Sequence, residues 1–120
     1  MALTDFGKAI RKARIDAGET LGTMADALGL TAAFLSGVET GRKKVPPELV
    51  QKVRSFFAGR GVTINQLDEL AAMANKTVSL EGLSPQHQML VAGFARSSYD
   101  AETLQKMATL LAAANKKESQ

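Results

Sequence analysis

The sequence contains a run of three consecutive cations, Arg42, Lys43 and Lys44, which is its densest group of side chains able to bind a charged ligand. Guanidinium and ammonium groups in a row favour contact with a polyanion, because each of them neutralises a phosphate. Residues 1–60 carry ten Lys/Arg against six Asp/Glu, whereas residues 61–120 carry five against six. A basic front half suggests a polyanion-binding module, but small domains are as often basic for solubility alone. Charge by itself leaves both interpretations open.

The composition excludes several other kinds of chemistry. There is no cysteine, so we expect no disulfide, no thiol nucleophile and no thiolate metal site. His87 is the one histidine, and it has neither an acid nor a nucleophile at motif spacing. The glycines Gly37 and Gly41 precede Arg42 and Lys43 without the spacing of a phosphate-cradling loop. We therefore expect no enzyme, no metal and no cofactor.

No membrane or export signal is visible in the sequence. No apolar run approaches the ~20 residues that a bilayer-spanning helix needs. The first residues, MALTDFGKAIRKAR, contain no apolar stretch followed by a small-residue cleavage site. We expect a cytoplasmic protein that does not contact a membrane.

Helical signals run along the whole chain, and strand signals are nearly missing. Apolar residues recur at helical spacing between capping residues and terminating glycines, which predicts an all-α fold. Thr63 and Gln66 stand at the spacing of a capping box for the fifth helix. Residues 76–83 have little periodicity and predict a linker. The predicted helices span about residues 5–17, 21–28, 31–38, 47–58, 63–75, 85–96 and 100–115.

The second and third predicted helices hold the most informative spacing. Ala25 supplies a small residue where two helices cross steeply, and Gly29 accepts the positive φ that the turn requires. Leu35 and Val38 would anchor the third helix to the core. A helix raised in this way fits the major groove of DNA. The residues then expected to face outward, towards base edges, are Thr31, Ala32, Ala33, Ser36 and Gly37.

Residues 4–76 resemble the lambda-repressor/Cro-like, or XRE-family, helix-turn-helix domain. The matching stretches are FGKAIRKAR, then ADALGLTAAFLSGVETG, then a proline-containing start of the fourth helix. The resemblance implies a five-helix DNA-binding domain over residues 1–76. It also implies a transcriptional regulator, in particular a repressor that acts as a dimer on double-stranded DNA, with residues 31–38 in the major groove.

The resemblance assigns further roles residue by residue. Arg14 and Glu39 match an ion pair that sets the angle between the first helix and the recognition helix; two solvated side chains are the alternative. Leu21 departs from the glutamine usual in the family, and residues 30–38 contain no Arg, Gln or Asn. Direct base readout should therefore be weak, and DNA shape should carry much of the specificity. The expected phosphate contacts are Thr20, Gly22, Thr23, Arg42, Lys43 and Lys44.

Residues 77–120 predict a C-terminal extension of two amphipathic helices. Two short helices bury too little surface to fold alone, so their apolar face must pack on the same chain, on a second copy or on a partner protein. A homodimer suits paired DNA half-sites. The alternative function is an antitoxin-like protein whose C-terminal helices neutralise a partner while residues 1–76 regulate their shared operon. The expected dimer or partner surface comprises Leu90, Val91, Phe94, Leu104, Met107, Leu110 and Leu111.

Overall fold

The computed structural model describes residues 2–118, and over these residues the chain forms seven α-helices and no strand. The all-α prediction is confirmed. Positions 1, 119 and 120, which belong to the predicted domains, lie outside the described residues. The helices are α1 (Asp5–Ala17), α2 (Leu21–Leu28), α3 (Ala32–Glu39), α4 (Pro47–Ala58), α5 (Leu67–Asn75), α6 (Pro85–Arg96) and α7 (Ala101–Glu118). No single helix in the described chain is both long enough and apolar enough to cross a membrane.

Local capping explains most of these boundaries. The hydroxyl of Thr31 accepts the Phe34 N–H at 3.0 Å and starts α3, because the first N–H groups of a helix have no partner inside it. Ser84 caps α6 in the same way by accepting the His87 N–H at 3.1 Å. Gly29 ends α2 in the left-handed conformation, with φ 71°, which glycine adopts without a steric penalty.

Two helix boundaries differ from the sequence prediction. The capping box of Thr63 and Gln66 is wrong: α5 begins at Leu67, and Gln66 has φ 59° with no side-chain capping bond. Val62 and Ile64 pack against the core just before this point, so tertiary packing holds the segment outside a helix. At the other end, α7 continues to Glu118, past the predicted end near Asn115. No glycine or proline stops it there.

The chain divides into two compact units, Met1–Ser79 and Leu80–Gln120. In the first unit, α1 packs on α3 and α5, while α4 packs on α2 and α5. These helices bury one shared cluster of apolar side chains. The removal of that apolar surface from water drives their packing. The largest fully buried side chains are Phe6, Ile10, Met24, Leu35, Val38, Val53 and Phe57.

The second unit, unlike the first, has no buried core in its described part. It contains α6 and α7, and no residue in its described part, 80–116, is buried. Asp100 caps α7 by accepting the Thr103 N–H at 2.8 Å, and hydrogen bonds from the Thr103 side chain and from this N–H lower the pKa of Asp100. The ring of Phe94, in α6, stacks on the ring of Tyr99, in the turn before α7, with centroids 5.2 Å apart.

Candidate nucleic-acid interface

The corner between α2 and α3 exposes one face of α3. The two helices are bent by 108° relative to each other across the break at Gly29. Leu35 and Val38 are 1% and 0% exposed, so the back of α3 is fixed in the core. The exposed front carries only hydroxyl and methyl groups, which suit contacts with thymine methyls and single hydrogen bonds. This front consists of Thr31, Ala32, Ala33 and Ser36.

Gly37 does not belong to this exposed front. The prediction that it faces outward is wrong, because Gly37 is buried. A Cβ added at Gly37 would lie 3.0 Å from Cγ of Lys43, so the stem of that lysine passes over the glycine. The Gly37 carbonyl also accepts the N–H groups of Arg42 at 2.9 Å and Lys43 at 3.1 Å. Gly37 therefore positions the basic residues beside α3.

The three cations of the basic loop, Arg42, Lys43 and Lys44, are all exposed, but they are not equivalent. Lys44 Nζ donates to the Asn75 carbonyl at 2.8 Å, at the C-terminal end of α5. Lys44 therefore has an internal partner that holds its ammonium group near the end of α5. Arg42 and Lys43 follow α3 after Thr40 and Gly41, and the bonds of their N–H groups to the Gly37 carbonyl keep this positive charge beside the end of α3.

Asn75 is a residue that the sequence analysis missed. Its Oδ1 accepts the Val45 N–H at 2.7 Å, and its Nδ2 donates to the Val45 carbonyl at 2.9 Å. This pair of bonds fixes the end of the basic loop to α5, 30 residues further along the chain. An asparagine ending a helix gives no sequence signal for so distant a partner.

Replacing Asn75 by alanine should loosen the basic loop. Both Val45 backbone groups would lose their partners although Val45 is only 3% exposed, and a buried unpaired group costs about 1–3 kcal/mol. We expect Asn75→Ala to lower the free energy of unfolding by this amount in urea titrations. Asn65→Ala, at an exposed loop asparagine, is the control and should change it by less than about 0.5 kcal/mol. Equal losses in both variants would show that the side-chain bonds to Val45 are unimportant.

The N-terminus of α2 already holds a carboxylate. Thr20 and Thr23 cap each other, each side chain accepting the other residue's N–H. The Thr23 hydroxyl also donates to Glu19 at 2.8 Å, and this bond, together with Arg60, lowers the pKa of Glu19. Thr20, Gly22 and Thr23, the predicted phosphate contacts, are exposed, but a phosphate placed there would meet the negative charge of Glu19.

Arg14 and Glu39 form a buried ion pair. Both guanidinium Nη atoms donate to the carboxylate, and the Nη2–Oε1 distance is 3.1 Å. Arg14 and Glu39 are 7% and 4% exposed, so the alternative of two solvated side chains does not hold. Thr4 donates to the Glu39 carbonyl through its N–H at 3.0 Å and its hydroxyl at 3.2 Å. These bonds attach the last residue of α3 to the start and the end of α1.

The described residues contain no group of three or more His, Asp or Glu side chains that could hold a metal ion. No protein-family model, curated protein or solved structure matches this chain. The case for a function therefore depends on the geometry of α2, α3 and the basic loop, together with the motif residues.

Proposed function

We propose that α1–α5 form a lambda-repressor-like helix-turn-helix domain that binds double-stranded DNA, and that the protein is a transcriptional regulator acting as a repressor. The observation that carries the proposal is the exposed small-residue face of α3. It is fixed from behind by Leu35 and Val38, stands at 108° to α2 and continues into Arg42 and Lys43. A helix of this kind enters the major groove while adjacent cations contact the backbone.

The side chains on the exposed face of α3 indicate which DNA contacts would supply the affinity and which would supply the specificity. The α3 face of Thr31, Ala32, Ala33 and Ser36 has no side chain capable of bidentate base recognition. Binding energy would come from phosphates, and each neutralised phosphate contributes about −0.9 to the slope of log K against log salt. Sequence preference would depend on thymine methyls and on the deformability of the duplex. Two copies on adjacent half-sites would compensate for weak readout in each.

Arg42 and Lys43 provide the variants that test this proposal. A preferred duplex is first selected from a randomised pool, and fluorescence anisotropy then compares it with a shuffled duplex at ~50 and ~200 mM salt. We expect a preference for the selected duplex that persists at the higher salt. Arg42→Ala and Lys43→Ala should each weaken binding by about fivefold or more and reduce the salt slope by roughly 0.9.

Lys12→Ala is the matched control, because Lys12 is an exposed lysine of α1 that lies beside Thr63 and Asn65, at the loop before α5. It should change affinity by less than about twofold. Equal binding to both duplexes, or an equal loss in the Lys12 variant, would contradict recognition through α3 and leave only a general attraction between a basic domain and a polyanion.

A further inference from the structure

The second unit presents an apolar groove that residues 80–116 do not themselves fill. The groove has a volume of about 700 Å³ and lies between α6 and α7. Its walls are apolar residues at helical spacing on both helices, with the stacked rings of Phe94 and Tyr99 among them. The main wall residues are Leu90, Val91, Phe94, Leu104, Met107 and Leu111.

α6 and α7 do not close this groove by packing on each other. Their backbones barely approach along their described lengths, in contrast to the helices of the first unit. Leu90 and Leu111 are 67% and 63% exposed, and nothing in 80–116 is buried. The two helices thus form an open hairpin without a core. Within residues 80–116 these side chains complete no core.

The exposed apolar walls extend along both helices. Phe94 and Leu104 are 46% and 44% exposed, in addition to Leu90 and Leu111. A protein surface laid along the groove covers these walls over their whole length and removes their apolar area from solvent.

The charge pattern favours a second copy of this chain as the occupant. The described charged side chains of 80–116 cancel, three acidic against three basic: Glu81, Asp100 and Glu102, and Arg96, Lys106 and Lys116. Two such units meet without net repulsion, whereas a strongly charged partner would find no complementary charge. In a two-fold dimer each copy buries the same apolar patch against the other, so neither patch stays in contact with water.

The dimensions of the hairpin suit such a pair. α6 has 12 residues and α7 has 18, so they are about 18 and 27 Å long. Two helices side by side, each roughly 10 Å across, present a projected face of about 500 Å². The accessible area of a corrugated face exceeds its projection and approaches the roughly 800 Å² per partner of a stable interface.

We propose that the α6–α7 hairpin is a self-association module in which a helix of one copy occupies the α6–α7 groove of the other, giving a four-helix dimer. Phe94, Leu104 and Leu111 lie at its centre. This inference does not require DNA binding by the first unit, so the two proposals fail separately.

The test is sedimentation equilibrium of the purified full-length chain without DNA. Wild-type protein should be dimeric from about 1 to 200 µM. Leu111→Lys places an ammonium group in the interface and should raise the dimer dissociation constant by about tenfold or more. Ala113→Lys introduces the same charge at an exposed position of α7 that does not line the groove, and it should leave the constant unchanged. Because residue 111 is exposed within one chain, both variants should keep the wild-type circular dichroism.

Monomeric wild-type protein across this range would overturn the proposal and leave the groove to packing within the same chain or to a partner protein. A dimer that Leu111→Lys does not weaken would also overturn it, since self-association would then involve another surface. Equal weakening by Ala113→Lys would show an effect of net charge and not of the groove.

Discussion

Gly7→Ala should destabilise the first unit severely, lowering the free energy of unfolding by about 3 kcal/mol or more. A Cβ at position 7 would lie 2.1 Å from the Glu39 carbonyl oxygen and 2.8 Å from its carbon. These are backbone atoms, and Thr4 holds the same carbonyl with two hydrogen bonds. Relief would require α1 and α3 to separate, which opens the core around Phe6 and Leu35.

Gly22→Ala is the matched control for Gly7→Ala. Gly22 also lies in a helix, but the nearest atom to an added Cβ is the Thr20 hydroxyl at 3.8 Å. Alanine should therefore stabilise the protein by about 0.5–1 kcal/mol through helix propensity and a less flexible unfolded chain. Urea unfolding followed by circular dichroism measures both variants. A small effect of Gly7→Ala would show that the close approach of α1 to α3 is not needed for the fold.

Glu39→Gln should also have a large effect, a loss of about 3 kcal/mol or more of unfolding free energy. The carboxamide keeps the shape of the side chain but leaves the Arg14 guanidinium charged, buried and without its counter-ion. Neutralising Asp68, which pairs with Arg54 at an exposed site, provides the contrast. Asp68→Asn should change stability by less than about 1 kcal/mol, since exposed pairs contribute little.

The double variant Arg14→Met/Glu39→Leu separates charge from packing. Removing both partners leaves no buried charge, and a well-packed apolar pair often equals a buried ion pair in stability. We expect the double variant to recover most of the stability lost in Glu39→Gln. A double-mutant cycle measures the coupling. Additive losses would contradict a direct pair, and a stable double variant with impaired DNA binding would identify the pair as an orienting device for α3.

The helices could be predicted from sequence where their ends are set by local chemistry. Thr31, Gly29 and Ser84 act within four residues of themselves, so their spacing is enough to locate α2, α3 and α6. The start of α5 could not be predicted, because the left-handed Gln66 depends on how the preceding segment packs. A spacing rule detects a capping box but not the tertiary contact that replaces it.

In the candidate site, too, some features could be predicted from the sequence and others could not. The exposed face of α3 follows from helical periodicity, and the Arg14–Glu39 pair follows from the resemblance. The burial of Gly37 under Lys43, the clamp of Asn75 on Val45 and the carboxylate of Glu19 beside Thr23 were not predicted. These features depend on side-chain paths and long-range contacts that no single sequence encodes as a spacing.

The most direct test of α3 in the major groove uses the absence of cysteine from the sequence. Ser36→Cys places one thiol on the exposed face of α3, where it carries a photocrosslinker, and Thr63→Cys places one at an exposed position before α5. We expect Ser36→Cys to crosslink to bases of the selected duplex within the major groove, and Thr63→Cys to give no specific crosslink. Specific crosslinks from Thr63→Cys alone, or none from Ser36→Cys on a bound duplex, would contradict recognition through α3.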